Sequence, residues 1–128
     1  MFYNLQLLII EDNLLNQKII SFWLAKNGIN FTFASSGEEA MEIFKVKWFD
    51  VVIMDIMLPG LNGLETTKLL REICKQSYCK QPYIIALTAN TLDNDRIRCL
   101  SIGMDEYMVK PFEFQQLYHI LEDHFRNK

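Results

Sequence analysis

The chain of 128 residues lacks the marks of a membrane, secreted or nucleic-acid-binding protein. No apolar run approaches the ~20 residues that a membrane span needs. The start, Met1-Phe2-Tyr3-Asn4, has no basic segment of the kind that opens a signal peptide. No basic run occurs and the formal net charge is only −3, which argues against nucleic acid as a partner. We therefore expect a cytoplasmic domain that makes no membrane contact itself.

Cysteine is also scarce. The three cysteines are Cys74, Cys79 and Cys99, an odd number without a Cys-x-x-Cys pair. This pattern argues against a disulfide framework or a zinc site. We expect all three to be reduced thiols, as is usual in a cytosolic protein.

The length is close to the commonest size of a single domain. The sequence has no internal repeat, no low-complexity stretch and no linker between separate units. A chain of this length buries roughly two thirds of its unfolded surface, enough to fold without disulfides or metals. We therefore predict one domain over residues 1–128, built around one core.

Five short apolar runs are typical of strands, and the first, third and fourth have the composition of strands buried on both faces. They are Leu5–Ile10, Phe31–Ala34, Val51–Met54, Tyr83–Leu87 and Tyr107–Val109. Between and after them lie five stretches with helical periodicity, which alternate with the strands. This alternation predicts an α/β fold in which a parallel sheet is covered by helices on both faces.

The apolar positions of the five predicted helices are interpreted as core residues, because they recur at helical spacing. They are Leu15, Ile19, Phe22 and Trp23, then Ala40, Ile43 and Phe44, then Leu64, Leu70 and Ile73, then Ile97 and Leu100, and finally Phe114, Leu117, Leu121 and Phe125. Ser36 is the expected N-cap of the second helix, and Gly28 the stop after the first.

Chemistry-bearing residues follow the strands at their carboxyl ends, where open α/β sheets collect their functional groups. Glu11 and Asp12 follow the first strand, and Asp55 ends the third. Thr88 ends the fourth, and Lys110 ends the fifth. A lone carboxylate after a strand is most often a helix cap, and a lone Lys-Pro is usually a turn. Their joint occurrence at one edge of the sheet indicates a site.

Two carboxylates ~5 Å apart at this edge repel each other by roughly 3 kcal/mol at an effective dielectric constant of about 20. A divalent cation removes that repulsion, and all-oxygen ligands suit Mg²⁺, which takes one or two carboxylates together with a phosphate oxygen. Lys110 then pairs with a phosphoryl oxygen, Thr88 donates a hydrogen bond to another, and the small Ala89 leaves space. Asp55 is the candidate nucleophile, which would form an acyl phosphate.

The sequence resembles the receiver domains of two-component systems, the domains of response regulators and hybrid histidine kinases. The resemblance runs from Leu7 to about Phe125. Its motifs are Ile10-Glu11-Asp12-Asn13 with Asn16-Gln17, Met54-Asp55-Ile56-Met57-Leu58-Pro59 with Asn62-Gly63, Leu87-Thr88-Ala89-Asn90, and Gly103-Met104-Asp105-Glu106-Tyr107 leading to Lys110-Pro111-Phe112. It implies a flavodoxin-like (βα)5 sandwich with strand order 2-1-3-4-5, which is the strand order of such receivers.

The resemblance also implies a role for each site residue. Asp55 matches the phosphoacceptor, and Lys110 matches the phosphate-binding lysine, whose bond to the following proline is usually cis. Glu11, Asp12 and Asp55 match the Mg²⁺ (or Mn²⁺) ligands, together with the backbone carbonyl of Met57.

Further matches concern the switch and the phosphoryl lifetime. Thr88 matches the switch hydroxyl and Tyr107 the switch aromatic, while Ala89 lines the phosphate site. Met57 and Asn90 match the positions that flank the path of attacking water. Neither residue is a general base, so we expect slow self-dephosphorylation.

The implied function is a phosphorelay receiver that takes its phosphoryl group from a phosphohistidine of a kinase or of a histidine phosphotransfer protein. Phosphorylation would shift the face built by the fourth helix, the fifth strand and the last helix. The isolated domain would catalyse only its own phosphorylation and dephosphorylation, whereas a parent chain would be a histidine kinase. The motif style favours the cytoplasmic receiver of a hybrid kinase. A stand-alone response regulator and a non-phosphorylated receiver-like binding module are the alternatives.

Two other classes fit the motifs less well. A haloacid-dehalogenase-like phosphatase also uses an aspartate nucleophile with Mg²⁺, but it needs a second acid two residues later, where this chain has Met57. A flavodoxin-like cofactor carrier needs a phosphate-cradling loop after the first strand, and Glu11 and Asp12 would repel a phosphate there.

Overall fold

A computed structural model describes residues 4–58, 60–89 and 93–126 of the chain. Within these ranges, five strands alternate with five helices. The strands are β1 (Gln6–Ile10), β2 (Asn30–Ala34), β3 (Val51–Asp55), β4 (Tyr83–Thr88) and β5 (Glu106–Val109). The helices are α1 (Leu14–Lys26), α2 (Gly37–Val46), α3 (Gly63–Gln76), α4 (Asp93–Ile102) and α5 (Phe114–Leu121), and a π-helical segment, Glu122–Arg126, follows α5. None of the helices in these ranges is long and apolar enough to cross a membrane.

The five strands form one parallel sheet in the order β2-β1-β3-β4-β5. The predicted fold class and strand order are thereby confirmed. β1, β3 and β4 are buried almost throughout, as their continuous apolar composition indicates. Because all strands run the same way, their carboxyl ends lie at a single edge.

Side chains alternate between the two faces of the sheet and divide the core into two layers. On β1, Leu8 and Ile10 point to the layer that holds residues of α2 and α3, whereas Leu7 and Ile9 point to the layer that holds residues of α1 and α5. Each fully buried Leu or Ile stabilises the fold by roughly 1.5–3 kcal/mol. The single predicted core is therefore two layers, one on each face of the sheet.

Local capping matches the sequence signals. The side chain of Ser36 caps α2 by accepting a hydrogen bond from the backbone N–H of Glu39 at 3.0 Å. Asn13 caps α1 in the same way, through the N–H of Asn16 at 2.9 Å. α1 ends at Lys26, and Gly28 follows with a φ of 68°, a left-handed conformation that glycine adopts without a steric penalty.

The interpretation of the α1 apolar residues as core was wrong. Only Ile20 and Leu24 of this helix are buried. Five large apolar residues are exposed and define what we call the α1 apolar face: Leu14, Leu15, Ile19, Phe22 and Trp23. A helix that is apolar on most sides carries little periodic signal, so the spacing did not reveal which side meets the sheet. The same interpretation was wrong for Ile97 and Leu100 of α4, which are also exposed.

The expectation of three reduced thiols differs from the structure, in which a disulfide joins Cys74 to Cys79 and Cys99 is a buried cysteine outside this bond. The cause is the way α3 ends. Tyr78 has a φ of 56°, which is the left-handed region. The N–H of Cys79 donates to the carbonyl oxygen of Cys74 at 3.0 Å, and the N–H of Tyr78 donates to the carbonyl oxygen of Lys75 at 3.3 Å. This is a Schellman motif, which brings the residue two places after the helix cap back over the last turn.

Arg71 of α3 links this helix to the start of β4 and to the turn before β5. No motif in the sequence indicated a role for this residue. Its guanidinium donates to the carbonyl oxygens of Gly103 and Pro82 and forms an ion pair with Asp105 at 2.7 Å. Asp105 in turn accepts from the N–H of Ile84 at 2.8 Å. The turn before β5 is thereby fixed against the start of β4.

Candidate functional site

Asp55 and Lys110 meet at the carboxyl edge of the sheet. Asp55 is the last residue of β3 and only 2% exposed, and Lys110 follows β5 directly. Lys110 Nζ lies 2.6 Å from Asp55 Oδ2, while the other carboxylate oxygen accepts from the N–H of Met57 at 2.9 Å. Both oxygens of Asp55 are therefore oriented by donors. The predicted cis bond between Lys110 and Pro111 is present.

Glu11 is buried behind this pair and held by α1. Its carboxylate accepts from the N–H of Asn13 and from the side-chain amide of Asn16, both at 3.2 Å. The side-chain amide of Gln17 donates to its backbone carbonyl oxygen at 2.6 Å. Asn16 and Gln17 of this motif therefore hold in place the segment that carries Glu11 and Asp12.

Burial raises the pKa of Glu11, because removal from water disfavours its charged form. The N–H of Asn13 acts in the opposite direction, whereas the nearby carboxylate of Asp55 raises the pKa further. Lys110 lowers the pKa again, but its ammonium lies 4.0 Å from Glu11 and much closer to Asp55. One lysine is thus shared between two buried carboxylates.

The acidic group has the donor chemistry of a magnesium site. One carboxylate oxygen each from Glu11, Asp12 and Asp55 lie within 4.8 Å of one another, and Asp12 is exposed beside its two buried neighbours. When all three carboxylates are ionised, the ammonium of Lys110 balances one of their charges, and the group has a net charge of −2. A divalent cation would balance this charge, and Mg²⁺ favours oxygen ligands of this kind.

The other predicted site residues lie on β4 and β5 or directly after β3 and β4. Thr88 ends β4 and is buried, and its carbonyl oxygen accepts from the N–H of Lys110 at 2.7 Å. Ala89 is exposed at the same edge, and Tyr107 is half-buried on β5. Met57 is 74% exposed. Asn90 lies outside the described residues.

Gly63 allows α3 to approach the backbone of Asp55 closely, and its place in the Asn62-Gly63 motif is the signal for this in the sequence. A Cβ atom added there would lie 2.6 Å from the carbonyl oxygen of Asp55 and 2.7 Å from the Cα atom of Ile56. The start of α3 therefore packs directly on the backbone that carries the candidate phosphoacceptor. A glycine at the start of a helix, next to the N-cap Asn62, is the sequence signal for this close approach.

A small cleft of about 70 Å³ connects the site to α1. Glu11 and Lys110 lie on its site side, and Asn16, Ile19 and Phe112 line it farther out. Since Ile19 also belongs to the α1 apolar face, this face reaches the cleft that Glu11 and Lys110 line.

Comparisons with known proteins agree with this geometry. A family model described as the response regulator receiver domain matches residues 7–122. Hybrid signal transduction histidine kinase K of Dictyostelium discoideum is 37% identical over 122 residues, which cover 91% of this chain and 10% of the kinase. The chain thus spans about a tenth of the length of that relative.

Two solved structures resemble the whole fold. One is the receiver domain of the Saccharomyces cerevisiae response regulator Ssk1, in a co-crystal with the histidine phosphotransfer signaling protein Ypd1. It has a TM-score of 0.88 and 32% identity over 96% of this chain and 90% of that one. The other is the receiver domain of the sensor histidine kinase PA1611 of Pseudomonas aeruginosa, with a magnesium ion coordinated in its active site cleft. It has a TM-score of 0.79 and 37% identity, and covers 93% of this chain and 95% of that one.

Proposed function

The chain belongs to the response regulator receiver family, and on that premise we propose that Asp55 accepts a phosphoryl group from a phosphohistidine of a histidine kinase or phosphotransfer protein. The observation that carries the proposal is the buried Asp55 carboxylate, 2.6 Å from Lys110 and within 4.8 Å of two further carboxylates. A receiver-like module without phosphorylation has no use for this costly arrangement of charge.

The proposed reaction is a nucleophilic displacement at phosphorus. A carboxylate oxygen of Asp55 forms a bond to phosphorus, the bond from phosphorus to the donor's imidazole nitrogen breaks, and the imidazole keeps the electron pair. Lys110 then pairs with a phosphoryl oxygen, and Thr88 donates to another. Glu11, Asp12, Asp55 and the carbonyl of Met57 would hold Mg²⁺, which supplies positive charge to the transferring group when bound.

The α1 apolar face is the surface that we assign to the phosphodonor. It borders the cleft beside the site, so a phosphotransfer protein that rests on it can place its histidine near Asp55. Phe22 and Trp23 contact each other edge to face with ring centroids 5.4 Å apart, and the ammonium of Lys26 lies over both rings. Exposed aromatic residues of this kind are frequent anchors of interfaces.

A transfer experiment tests both the function and this surface. Ypd1 phosphorylated on its histidine is mixed with this chain, and the label is expected to move to the chain. Phe22→Ala should raise the concentration of phospho-Ypd1 needed for half-maximal transfer about tenfold, the typical cost of losing an aromatic anchor. The control is Val46→Ala, which truncates an apolar residue that is 87% exposed in another helix.

Labelling by acetyl phosphate should be the same in wild type, Phe22→Ala and Val46→Ala, since none of these changes alters the site. Absence of transfer to the wild-type chain contradicts the proposed donor class. Equal transfer to wild type and Phe22→Ala contradicts the assignment of the surface instead.

Met57 is expected to prolong the life of the acyl phosphate. Its long apolar side chain can fold over the phosphoryl group on Asp55, and it offers no hydrogen bond that would orient water. We predict that Met57→Asn loses its phosphoryl group roughly tenfold faster than wild type, less than the 10²–10⁴-fold that a general base provides. Met57→Leu keeps an apolar cover and should match wild type. Release of inorganic phosphate measures both rates, and equal rates for Met57→Asn and wild type would contradict the shielding role.

Thr88 and Tyr107 are proposed to transmit phosphorylation to the face formed by α4, β5 and α5. Once Thr88 turns toward the phosphoryl group, the space beside β4 admits the ring of Tyr107, and the two packings differ in their outer surface. Thr88→Ala should still be phosphorylated but should lose most of the phosphorylation-dependent change in the Tyr107 ring resonances. NMR of both proteins with and without acetyl phosphate measures this, and an unchanged response in Thr88→Ala would contradict the coupling.

The parent of this domain is proposed to be a hybrid histidine kinase. The support is the motif style together with the likeness to the Dictyostelium kinase, of which the chain spans about a tenth. Such a parent would hold the receiver in the cytoplasm, where the kinase finds its ATP. The reading frame around this segment tests the proposal, and a frame without a kinase core would favour a stand-alone response regulator.

A further inference from the structure

We propose that Cys74 and Cys79 form a reversible redox site at the end of α3, which small anionic disulfides such as oxidised glutathione convert from dithiol to disulfide. The pair lies at the far end of α3 from the phosphoacceptor. Cys74 lies eleven positions after Gly63, the residue that packs on Asp55, so α3 places them roughly 16 Å apart. The site is therefore distinct from the acidic centre.

The helix end brings the two cysteines together in either oxidation state. In a Schellman motif the last turn of the helix and the residue two places beyond the cap are commonly in side-chain contact, and here both positions are cysteine. Their Cα atoms are 5.1 Å apart, within the 4.4–6.8 Å that disulfides span. The backbone hydrogen bonds of the motif do not depend on the sulfur atoms, so reduction leaves the two thiols within reach of each other.

The reduced form also has partners for its buried sulfur. Cys74 is fully buried, and its Sγ lies 3.0 Å from the carbonyl oxygens of both Cys79 and Lys80. A thiol at this position can donate to either oxygen. Trp48 fixes the second of these carbonyls by donating from its indole N–H to Lys80 at 2.7 Å. Reduction therefore does not leave the buried thiol of Cys74 without a hydrogen-bond acceptor.

Access to the pair is from the side of Cys79, which is only partly buried. An open cavity of about 330 Å³ lies beside it and is lined by Lys45, Lys47 and Trp48 as well as by Cys79 itself. The ammonium of Lys45 pairs with Glu42 at 3.2 Å, and the ammonium of Lys47 lies over the ring of Phe49. The two lysines still give the cavity a cationic lining, which attracts an anionic reagent. We expect this lining to favour a negatively charged disulfide of glutathione size over a neutral one.

The chemistry balances with oxidised glutathione as the oxidant. The thiolate of Cys79 attacks one sulfur of glutathione disulfide, and the first glutathione leaves as a thiolate. Cys74 then loses its proton and attacks the sulfur of Cys79, and the second glutathione thiolate leaves. Two cysteine thiols are oxidised to one disulfide, and one glutathione disulfide is reduced to two thiols. Excess reduced glutathione reverses both steps.

The test equilibrates the full chain in buffers of increasing ratio of oxidised to reduced glutathione, followed by acid quenching, alkylation in denaturant and intact-mass analysis. Wild type should pass from three alkylated cysteines to one, with a mass before alkylation that is lower by two hydrogens, and reduced glutathione should restore the starting form. Amide hydrogen exchange in residues 77–82 should be slower in the oxidised form, because the bond closes this loop on α3. Three alkylated cysteines at every ratio, or equal exchange in the two forms, would overturn the proposal.

Matched variants assign the site. Cys99→Ala removes the other buried cysteine and should keep the full response. Cys74→Ser should stop at a glutathione adduct on Cys79, and Cys79→Ser should form neither adduct nor disulfide, since Cys74 is buried. The partly exposed position of Cys79 makes its serine variant the safer one for folding, which circular dichroism checks. A disulfide that includes Cys99, or an adduct on Cys74 in folded Cys79→Ser, would contradict the assignment.

Discussion

Asp55→Asn is expected to take up no phosphoryl group from acetyl phosphate under conditions that label the wild-type chain once. The substitution keeps the size and most hydrogen-bonding capacity of the side chain but replaces the nucleophilic carboxylate with an amide, which cannot form the acyl phosphate. It also removes the charge that pairs with Lys110 at 2.6 Å. Intact-mass spectrometry counts the phosphoryl groups on each protein.

The control for this prediction is Asp123→Asn, which makes the same change at an exposed position in the π-helical segment after α5. It should be labelled like wild type. Labelling of Asp55→Asn at the wild-type level would show that another residue is the acceptor, and a loss in both variants would mean that the loss in Asp55→Asn is not specific to the site.

Chelation of divalent cations is expected to stop phosphorylation of the wild-type chain, and added Mg²⁺ should restore it. The buried carboxylates of Glu11 and Asp55 lie within 4.8 Å of each other, where two charges repel by roughly 3 kcal/mol at an effective dielectric constant of about 20. The incoming phosphoryl group adds more negative charge at the same place. Lys110 supplies only one positive charge, which it shares between the two carboxylates.

Asp12→Asn tests the metal site without changing the nucleophile, because it removes a proposed Mg²⁺ ligand and leaves Asp55 in place. The Mg²⁺ concentration for half-maximal phosphorylation should rise about tenfold or more, since carboxylate charge sets affinity at such sites. The rate at saturating Mg²⁺ should fall less. Full activity of wild type in chelator, or an unchanged Mg²⁺ requirement in Asp12→Asn, would contradict the proposed ligand set.

The strands were predictable because their signal is local. Each of the five apolar runs became a strand whose ends lie within one residue of the predicted ends, and the buried character of β1, β3 and β4 was evident from continuous apolar composition. The helices were less predictable in orientation than in position. Phe22 and Trp23 fit a helical core pattern as well as Ile20 and Leu24 do, and only the docking of α1 on the sheet decides which pair is buried.

The candidate site was predictable as a set of residues, because parallel strands bring their carboxyl ends to one edge. Its supporting contacts were not. The shared position of Lys110 between Asp55 and Glu11, and the close approach of Gly63 to Asp55, depend on tertiary distances. The pairing of Cys74 with Cys79 was missed for a related reason, since a left-handed Tyr78 leaves no mark in the sequence.

The order of the strands gives the chain a natural division for fragment complementation. Glu11, Asp12 and Asp55 all precede the exposed loop after α3, whereas Thr88 and Lys110 follow it. A cut in residues 77–82 therefore leaves every carboxylate of the centre on one fragment and the hydroxyl and ammonium on the other. Neither fragment holds a complete site, and only reassembly of β3 against β4 brings Lys110 back to Asp55. Uptake of a phosphoryl group by such a pair would report that the two halves of the sheet have joined.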